Sequence, residues 1–358
     1  MYASFEIASS SKPYKVTIEN NSFGKLFTSD KKTVILCDDF FSPVLLSKGL
    51  PIVAIPASEE SKSLESMSGV ILEMRKLAMT RNSEVIAVGG GCVQDVATFC
   101  CSIYMRGVVW RYMPSTLLGM VDSCIGGKSA INVGQYKNLV GNFYPPQEVI
   151  IDPALAGSLA VEQRVAGLCE AAKITFAHGQ DAFYQYLALS PRVDMDEGAL
   201  VRLLELSLRS KKWFIEIDEF DKRERLLLNF GHTFGHAIEG AGRFSIAHGV
   251  AVGLGMLAAL DFAQYALGIT KHAAHVVALQ EHISHLLCQV EGLSATANKL
   301  NFDELLAHFD SDKKHEAAAY TIISVNSRGE LERYQIGKDT NNRRALRRSF
   351  ESALLRLE

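Results

Sequence analysis

The chain has 358 residues, 48% of them hydrophobic and 22% charged, the balance of an ordinary globular protein of about two domains. Lys and Arg number 37 against 40 Asp and Glu, a net charge of −3, which leaves no cationic excess for nucleic acid or an anionic membrane, and neither is expected as a partner. No apolar run reaches the roughly 18 to 20 residues needed to span a bilayer. The N-terminus lacks the basic-then-apolar order of a secretory signal, and 7 scattered cysteines without a CxxC pair fit free thiols in a reducing cytoplasm.

In chain order, residues 33–37 and 52–55 read as strands, and residues 63–77 as a helix with apolar Leu64, Met67, Val70, Ile71 and Met74 at helical spacing. Residues 84–88 form a third strand that runs straight into Gly89-Gly90-Gly91, and a helix follows over about 93–104. Residues 108–113 and 149–151 are further strands. Strands alternating with helices predict a mostly parallel sheet, a Rossmann-like α/β domain over residues 1–155. After Asp152-Pro153 the texture changes to long helical patterns at 161–178, 196–217, 227–240, 248–267, 272–290 and 302–309. A hairpin is expected at 320–324 and 331–336 around Ser327-Arg328-Gly329, with a last helix over 342–357. Residues 156–358 are therefore expected to form an all-α domain apart from that hairpin.

Three stretches carry chemistry. A strand that ends in three glycines and opens a helix lets the backbone approach a phosphate, with free N–H groups and the positive end of the helix dipole facing the anion. The GxGxxG fingerprint is absent; Gly89-Gly90-Gly91-Cys92-Val93-Gln94-Asp95 stands instead. The segment from Asp122 to Lys128, then Asn132 and Lys137-Asn138-Leu139-Val140-Gly141, gathers lysines, asparagines and glycines on an expected loop, suited to a phosphate or polyol. In Asn229-Phe230-Gly231-His232-Thr233-Phe234-Gly235-His236-Ala237-Ile238-Glu239, the two histidines are four apart and share one helix face. Two imidazoles and a carboxylate make a catalytic zinc shell with an open position. Glu170 is available for it, and spacing leaves His232 paired with either His236 or His248. His272, His275, His282 and His285 are read as ordinary helix residues, and Arg343 to Arg348 as a solvated face. A nucleotide-type sheet, a polar loop and a metal site suit an NAD-dependent, metal-assisted dehydrogenase of a polyol; a non-catalytic phosphate-binding protein is the competing class.

The chain resembles the sugar phosphate cyclase superfamily, and within it the 3-dehydroquinate synthases. The resemblance runs from about residue 34 to 314, through SEESKSLE at 58–65, VGGGCVQDVATF at 88–99, YMRG at 104–107, PSTLLGMVDSCIGGKSAIN at 114–132, KNLVGNFYPP at 137–146, GLCEAAK at 167–173, LLNFGHTFGHAIE at 227–239, AHG at 247–249 and DKK at 312–314. It implies an NAD-binding domain over 1–155, a metal- and substrate-binding domain over 156–358, and a homodimer. It further implies the cyclisation of 3-deoxy-arabino-heptulosonate 7-phosphate to 3-dehydroquinate, a step of the shikimate pathway, with bound NAD reduced and regenerated in each turnover. Sister enzymes take sedoheptulose 7-phosphate or glucose 6-phosphate, and an amino-substituted acid is a further alternative.

Carried over by residue, the resemblance implies Glu170, His232 and His248 as ligands of zinc or cobalt, with His236 aiding proton transfer near the leaving phosphate. Lys128, Asn138, Asn229 and Lys313 or Lys314 would hold phosphate or neighbouring oxygens, with Arg106 reaching it from the partner subunit. Asp122, Lys173 and Lys211 would bind sugar hydroxyls, and Arg225 the carboxylate. NAD would meet Asp38, Glu59, Lys62, Gly90, Gly91, Asp95, Ser115 and Thr116. Departures from the family pattern are Gln94 in place of glycine, Thr98, Cys100-Cys101 and Asn142. A side chain at position 94 is expected to crowd or re-shape the pyrophosphate turn.

Overall fold

The computed structural model describes residues 1–27, 32–134 and 136–357. The chain forms two compact units, Met1–Leu159 and Ala160–Glu358, dividing a few residues beyond the expected boundary at 155.

The first unit runs β1 (Ala3–Ile7), β2 (Tyr14–Ile18), β3 (Thr33–Asp38), α1 (Ser42–Leu46), β4 (Ile52–Ile55), α2 (Leu64–Lys76), β5 (Glu84–Gly89), α3 (Gly91–Ile103), β6 (Val109–Pro114), β7 (Ile131–Val133), β8 (Tyr136–Val140) and β9 (Glu148–Ile151). Seven strands form one sheet in the order β1-β2-β9-β6-β5-β3-β4, parallel throughout except for the β1–β2 pair. Val85, Ile86, Ala87 and Val88 of β5 are all fully buried, the continuous apolar run of a strand covered on both faces. From β3 the chain steps outward to β4, then returns and proceeds from β5 to β6 and β9 in the opposite direction. The reversal lies between β3 and β5. In an open parallel sheet, ligands bind beyond the carboxyl ends of the strands that flank such a reversal. Asp38 ends β3, and Gly89-Gly90-Gly91 joins β5 to α3.

The segment expected as a loop contains a separate two-stranded antiparallel sheet, β7 with β8. Strand β8 is exposed along most of its length, so it carries none of the buried-exposed alternation by which sequence identifies a strand.

The second unit runs α4 (Val161–His178), α5 (Gln180–Ala188), α6 (Glu197–Ile217), α7 (His232–Ala241), α8 (His248–Ala266), α9 (Ala274–Leu287), α10 (Leu293–Ala297), α11 (Phe302–Asp310), the hairpin β10 (Ala319–Val325) and β11 (Leu331–Gly337), and α12 (Thr340–Leu355). It is helical around α8, which packs against α4, α7, α9, α12 and β10. Every residue from Gly249 to Ala263 is buried. By length and composition α8 is apolar enough to cross a membrane, but 83% of that apolar window is buried within the fold. The helix expected over 227–240 begins later. Residues Glu224–Asn229 form a 3₁₀ turn, Gly231 takes a left-handed φ of 77°, and His232 opens α7.

All 7 cysteines are free thiols. The Arg343–Arg348 stretch lies on α12 with its arginines exposed; Arg343 pairs with Asp310 and Arg347 with Glu351 at 2.9 Å.

Candidate functional site

In the second unit the site begins with how closely three helices approach. A Cβ on Gly255 of α8 would lie 2.0 Å from the Gly231 carbonyl oxygen at the head of α7, and one on Gly249 would lie 2.2 Å from the Ala166 oxygen of α4. Only glycine permits backbone contact of this kind. It brings together Glu170 on α4, His232 at the start of α7 and His248 at the start of α8. Their ligand atoms all lie within 4.8 Å of one another. Nε2 of His232 is 3.9 Å and Nε2 of His248 is 3.7 Å from Oε1 of Glu170. The two ring centroids are 5.2 Å apart.

The chemistry of this donor set fits a divalent cation. Oε1 of Glu170 is fully buried and accepts no hydrogen bond, a costly state for a carboxylate oxygen unless a cation meets it. Lys173, one turn along α4 and equally buried, contacts the other oxygen. The two imidazoles are oriented from behind. Nδ1 of His248 lies 3.0 Å from Oε2 of Glu239, and Nδ1 of His232 lies 3.4 Å from the Phe230 carbonyl oxygen. Each Nδ1–H is thereby directed to an acceptor, which leaves the Nε2 lone pair for a metal. Burial pushes the His232 pKa well below the usual imidazole range, with Lys173 and the neighbouring imidazoles adding to the effect. For His248, burial acts in the same direction, but the bond to Glu239 and the charge of Glu170 outweigh it and the pKa is raised.

Among the described residues a second group, His236, Glu239 and His248, also gathers within 4.8 Å. It shares His248, and there Glu239 is already engaged by Nδ1. His232 and His236, the pair that helical spacing nominates, stand 5.4 Å apart by ring centroid but belong to no common donor group. The histidines of α9 form no metal-holding group among the described residues; His275 meets the Gly329 carbonyl oxygen at 3.0 Å and His282 the Tyr186 hydroxyl at 2.8 Å.

Around this centre, His236 is exposed, with Nδ1 3.7 Å from Oδ2 of Asp312. The same oxygen holds the Lys314 ammonium at 2.7 Å. Lys211 on α6 is buried. Asp218, just beyond α6, accepts the backbone N–H groups of Lys222, Arg223 and Arg225 at 2.6–3.2 Å. These bonds hold its carboxyl below the usual range despite burial. They fold the 218–225 loop so that Arg225 is only 3% exposed and one guanidinium nitrogen meets the Glu219 carbonyl oxygen. Asn229 donates to the Leu226 carbonyl oxygen at 3.1 Å.

In the first unit, the glycine turn is built for close approach. A Cβ on Gly89 would strike Val93 at 2.6 Å, and one on Gly90 would strike Thr116 at 2.9 Å, whereas a Cβ on Gly91 would meet nothing within 4 Å. Two glycines are thus demanded by packing, and the third borders open space at the head of α3, where unpaired N–H groups favour an anion. Asp38, half-buried at the end of β3, accepts from Phe40 N at 3.0 Å. Ser115 donates its N–H to Gly89 O at 3.0 Å, and Thr116 Oγ1 accepts from Gly119 N at 3.1 Å. Glu59, Lys62 and Asp95 form one ionic chain: Lys62 Nζ is 2.8 Å from Asp95 and 3.8 Å from Glu59. Burial raises the Asp95 pKa to about 6, against the pull of Lys62. The chain continues into the polar segment. Glu59 accepts from Asn132 Nδ2 at 2.8 Å, and Asn132 Oδ1 accepts from Asn138 N at 2.9 Å. Asn138 has a left-handed φ of 52°. Asp122 is half-buried, and Lys128 and Arg106 are exposed.

The Gln94 side chain is engaged by Ser123. It is 5% exposed, and its amide both donates to the Ser123 carbonyl oxygen and accepts from the Ser123 hydroxyl, each at 2.6 Å. Sequence reasoning missed this contact, because Ser123 carries no signal of its own. It also gave no role to Asp218.

Two family models match the chain, 3-dehydroquinate synthase N-terminal over residues 52–166 and 3-dehydroquinate synthase C-terminal over residues 167–315. The fold and the matched residues define a sugar phosphate cyclase. The chain belongs to the 3-dehydroquinate synthase family. The 3-dehydroquinate synthase of Dictyoglomus turgidum is 34% identical over 284 residues, covering 78% of each chain. A solved 2-deoxy-scyllo-inosose synthase, complexed with carbaglucose-6-phosphate, NAD⁺ and Co²⁺, superposes with a TM-score of 0.83 at 23% identity over 97% of this chain and 100% of that one. The 2-epi-5-epi-valiolone synthase of Streptomyces hygroscopicus, with NAD⁺ and Zn²⁺ bound, gives a TM-score of 0.77 at 22% identity, covering 98% of each chain.

Proposed function

We propose that the chain converts 3-deoxy-arabino-heptulosonate 7-phosphate to 3-dehydroquinate with loss of phosphate, using NAD and a divalent metal, zinc or cobalt. In this reading a ring hydroxyl is oxidised, the neighbouring C–H becomes acidic, phosphate is eliminated, the ketone is reduced again, and the ring opens and closes by an intramolecular aldol step. When bound, NAD would supply the hydride acceptor and donor, and the metal would supply Lewis acidity.

The chain's own residues do the rest. Glu170, His232 and His248 would hold the metal, and Asp38, Glu59, Lys62, Gly90, Gly91, Asp95, Ser115 and Thr116 the dinucleotide. Lys128, Asn138, Asn229, Lys314 and, from a partner subunit, Arg106 would bind the phosphate, whose charge grows as it leaves. Asp122, Lys173 and Lys211 orient the hydroxyls, and His236, in contact with Asp312, moves a proton near the phosphate. Acceleration then comes from preorganised charge and position. A homodimer in the cytoplasm is part of the proposal.

The observation that carries the choice of substrate is Arg225. A guanidinium that is 3% exposed, on a loop pinned by Asp218, suits a carboxylate, which it can grip with two parallel hydrogen bonds. The departures at Gln94, Thr98 and Asn142 favour a second reading, a sister cyclase acting on sedoheptulose 7-phosphate or an amino-substituted acid. Phosphate release from the acid, sedoheptulose 7-phosphate and glucose 6-phosphate, measured with the parent and with Arg225→Ala, decides between them. The parent should act on the acid, and the variant should lose that activity while keeping its metal. A parent active only on a neutral sugar overturns the substrate assignment.

A further inference from the structure

Helix α3 carries Gln94, Thr98 and Ser102 four residues apart, one stripe along the helix. Two of the three reach across to the polar segment that follows β6. Gln94 binds Ser123 by two hydrogen bonds of 2.6 Å, at a wide π-helical turn that also bears Asp122. The Ser102 hydroxyl accepts from Nδ2 of Asn142 at the far end. Asn142 in turn accepts from the Ser129 hydroxyl at 2.8 Å, and its carbonyl oxygen accepts from Ser129 N at 3.0 Å. Between the two ends, Asp95 accepts from Ala130 N at 3.0 Å. The helix therefore grips the segment at three places, and Lys128, exposed, lies within the gripped stretch. The third stripe residue, Thr98, bonds back to the Gln94 carbonyl oxygen at 2.7 Å and stays on the helix.

We propose that Gln94 and Ser102 are positioning residues, which clamp the 122–142 segment through Ser123 and Asn142 and so fix where Lys128 meets the phosphate of the substrate. This rests on the phosphate-holding role given to Lys128 above. A lysine is long and rich in rotamers, and ordering it costs entropy. Fixing the backbone on both sides leaves only the side chain to be ordered when the substrate arrives. An exposed lysine on a loosely held loop would instead search many positions, and small misplacements of a charge at a reacting group are expensive in rate. Gln94 is suited to the task because a primary amide offers a donor and an acceptor side by side, and Ser123 presents the matching carbonyl and hydroxyl. Neither partner is left for solvent, so the contact is a two-point lock.

The test uses the full chain with NAD and zinc. Gln94→Leu keeps the volume of the side chain and removes both bonds; Ser123→Ala removes one and serves if the first variant does not fold. Amide exchange over 119–143, kcat and KM for the sugar phosphate, and the Kd for NAD are measured for each. Exchange near Ser123 and Ala130 should rise roughly tenfold. The ratio kcat/KM should fall by on the order of 10²-fold, with the NAD Kd unchanged. The double variant should be no worse than Gln94→Leu alone, because both changes break one contact. Unchanged exchange in the segment overturns the clamp. So does faster exchange with unaltered kcat/KM, since a contact that serves only stability would behave that way. Strictly additive losses in the double variant overturn it as well. A parent without turnover would refute the proposed reaction rather than the clamp, which the exchange data then decide alone.

Discussion

Gly249 of α8 lies against the Ala166 carbonyl of α4 so closely that a Cβ would sit 2.2 Å from the oxygen and 2.7 Å from the carbon. The neighbours on either side are His248 and, one turn along α4, Glu170. The distance between the two candidate ligands is thus set by a glycine that is itself no ligand. Gly249→Ala should push the helices apart, since its neighbour is backbone and cannot swing away. The expected cost is about 1–3 kcal/mol of stability, together with loss of most bound zinc from otherwise folded protein. Calorimetric unfolding and metal analysis of the same sample check both. A variant that keeps its metal at parental affinity contradicts this account of how the centre is built.

Glu239 orients His248 through a 3.0 Å contact with Nδ1. Glu239→Ala should weaken zinc binding by about 10- to 100-fold, measured by competition with a chelator. His236→Gln should leave zinc affinity near the parental value, because His236 is outside the Glu170, His232 and His248 group. Equal losses in the two variants would instead assign the metal to His236, Glu239 and His248.

His282 supplies a pH prediction away from the site. Burial, with some repulsion from His285, lowers its pKa from 6.5 to about 4, and its Nε2 lies 2.8 Å from the Tyr186 hydroxyl. The depressed folded-state value means that the folded ring binds fewer protons than the unfolded one. Its contribution is complete above pH 6.5 and is lost as pH falls toward 4. His282→Gln, which keeps a hydrogen-bonding group but does not titrate, should flatten the decline in denaturant midpoint over that interval. Parallel declines in parent and variant would contradict the assignment.

The sequence was informative wherever a pattern is local. The buried parallel strands carry β-branched runs, and the longer helices of the second unit stand out by their apolar content, so both could be read directly, whereas the short α5 and α10 were not. β1 and β2 were missed because each is five residues long and mixes polar with apolar side chains. β8 was missed because exposed Lys137 and Asn138 sit in it and no alternation marks it. The start of α7 was set too early because the break depends on the left-handed φ of Gly231, which composition alone does not require. At the site, spacing offered His232 with His236 or His248. Only the backbone contacts at Gly249 and Gly255 decide which donors meet, and such contacts join residues far apart in sequence. The same holds for Gln94, whose partner Ser123 lies 29 residues away.

The central claim is a reaction in which the hydride taken from the substrate returns to it, which distinguishes a cyclase from the polyol dehydrogenase that a nucleotide cradle and a metal centre would equally suit. The most direct measurement is the stoichiometry of phosphate released from 3-deoxy-arabino-heptulosonate 7-phosphate to NADH accumulated, with NAD supplied well below the substrate. The account predicts many phosphates released per NAD and no net NADH. NADH accumulating in step with substrate consumed, or turnover that stops when NAD is exhausted, would contradict it.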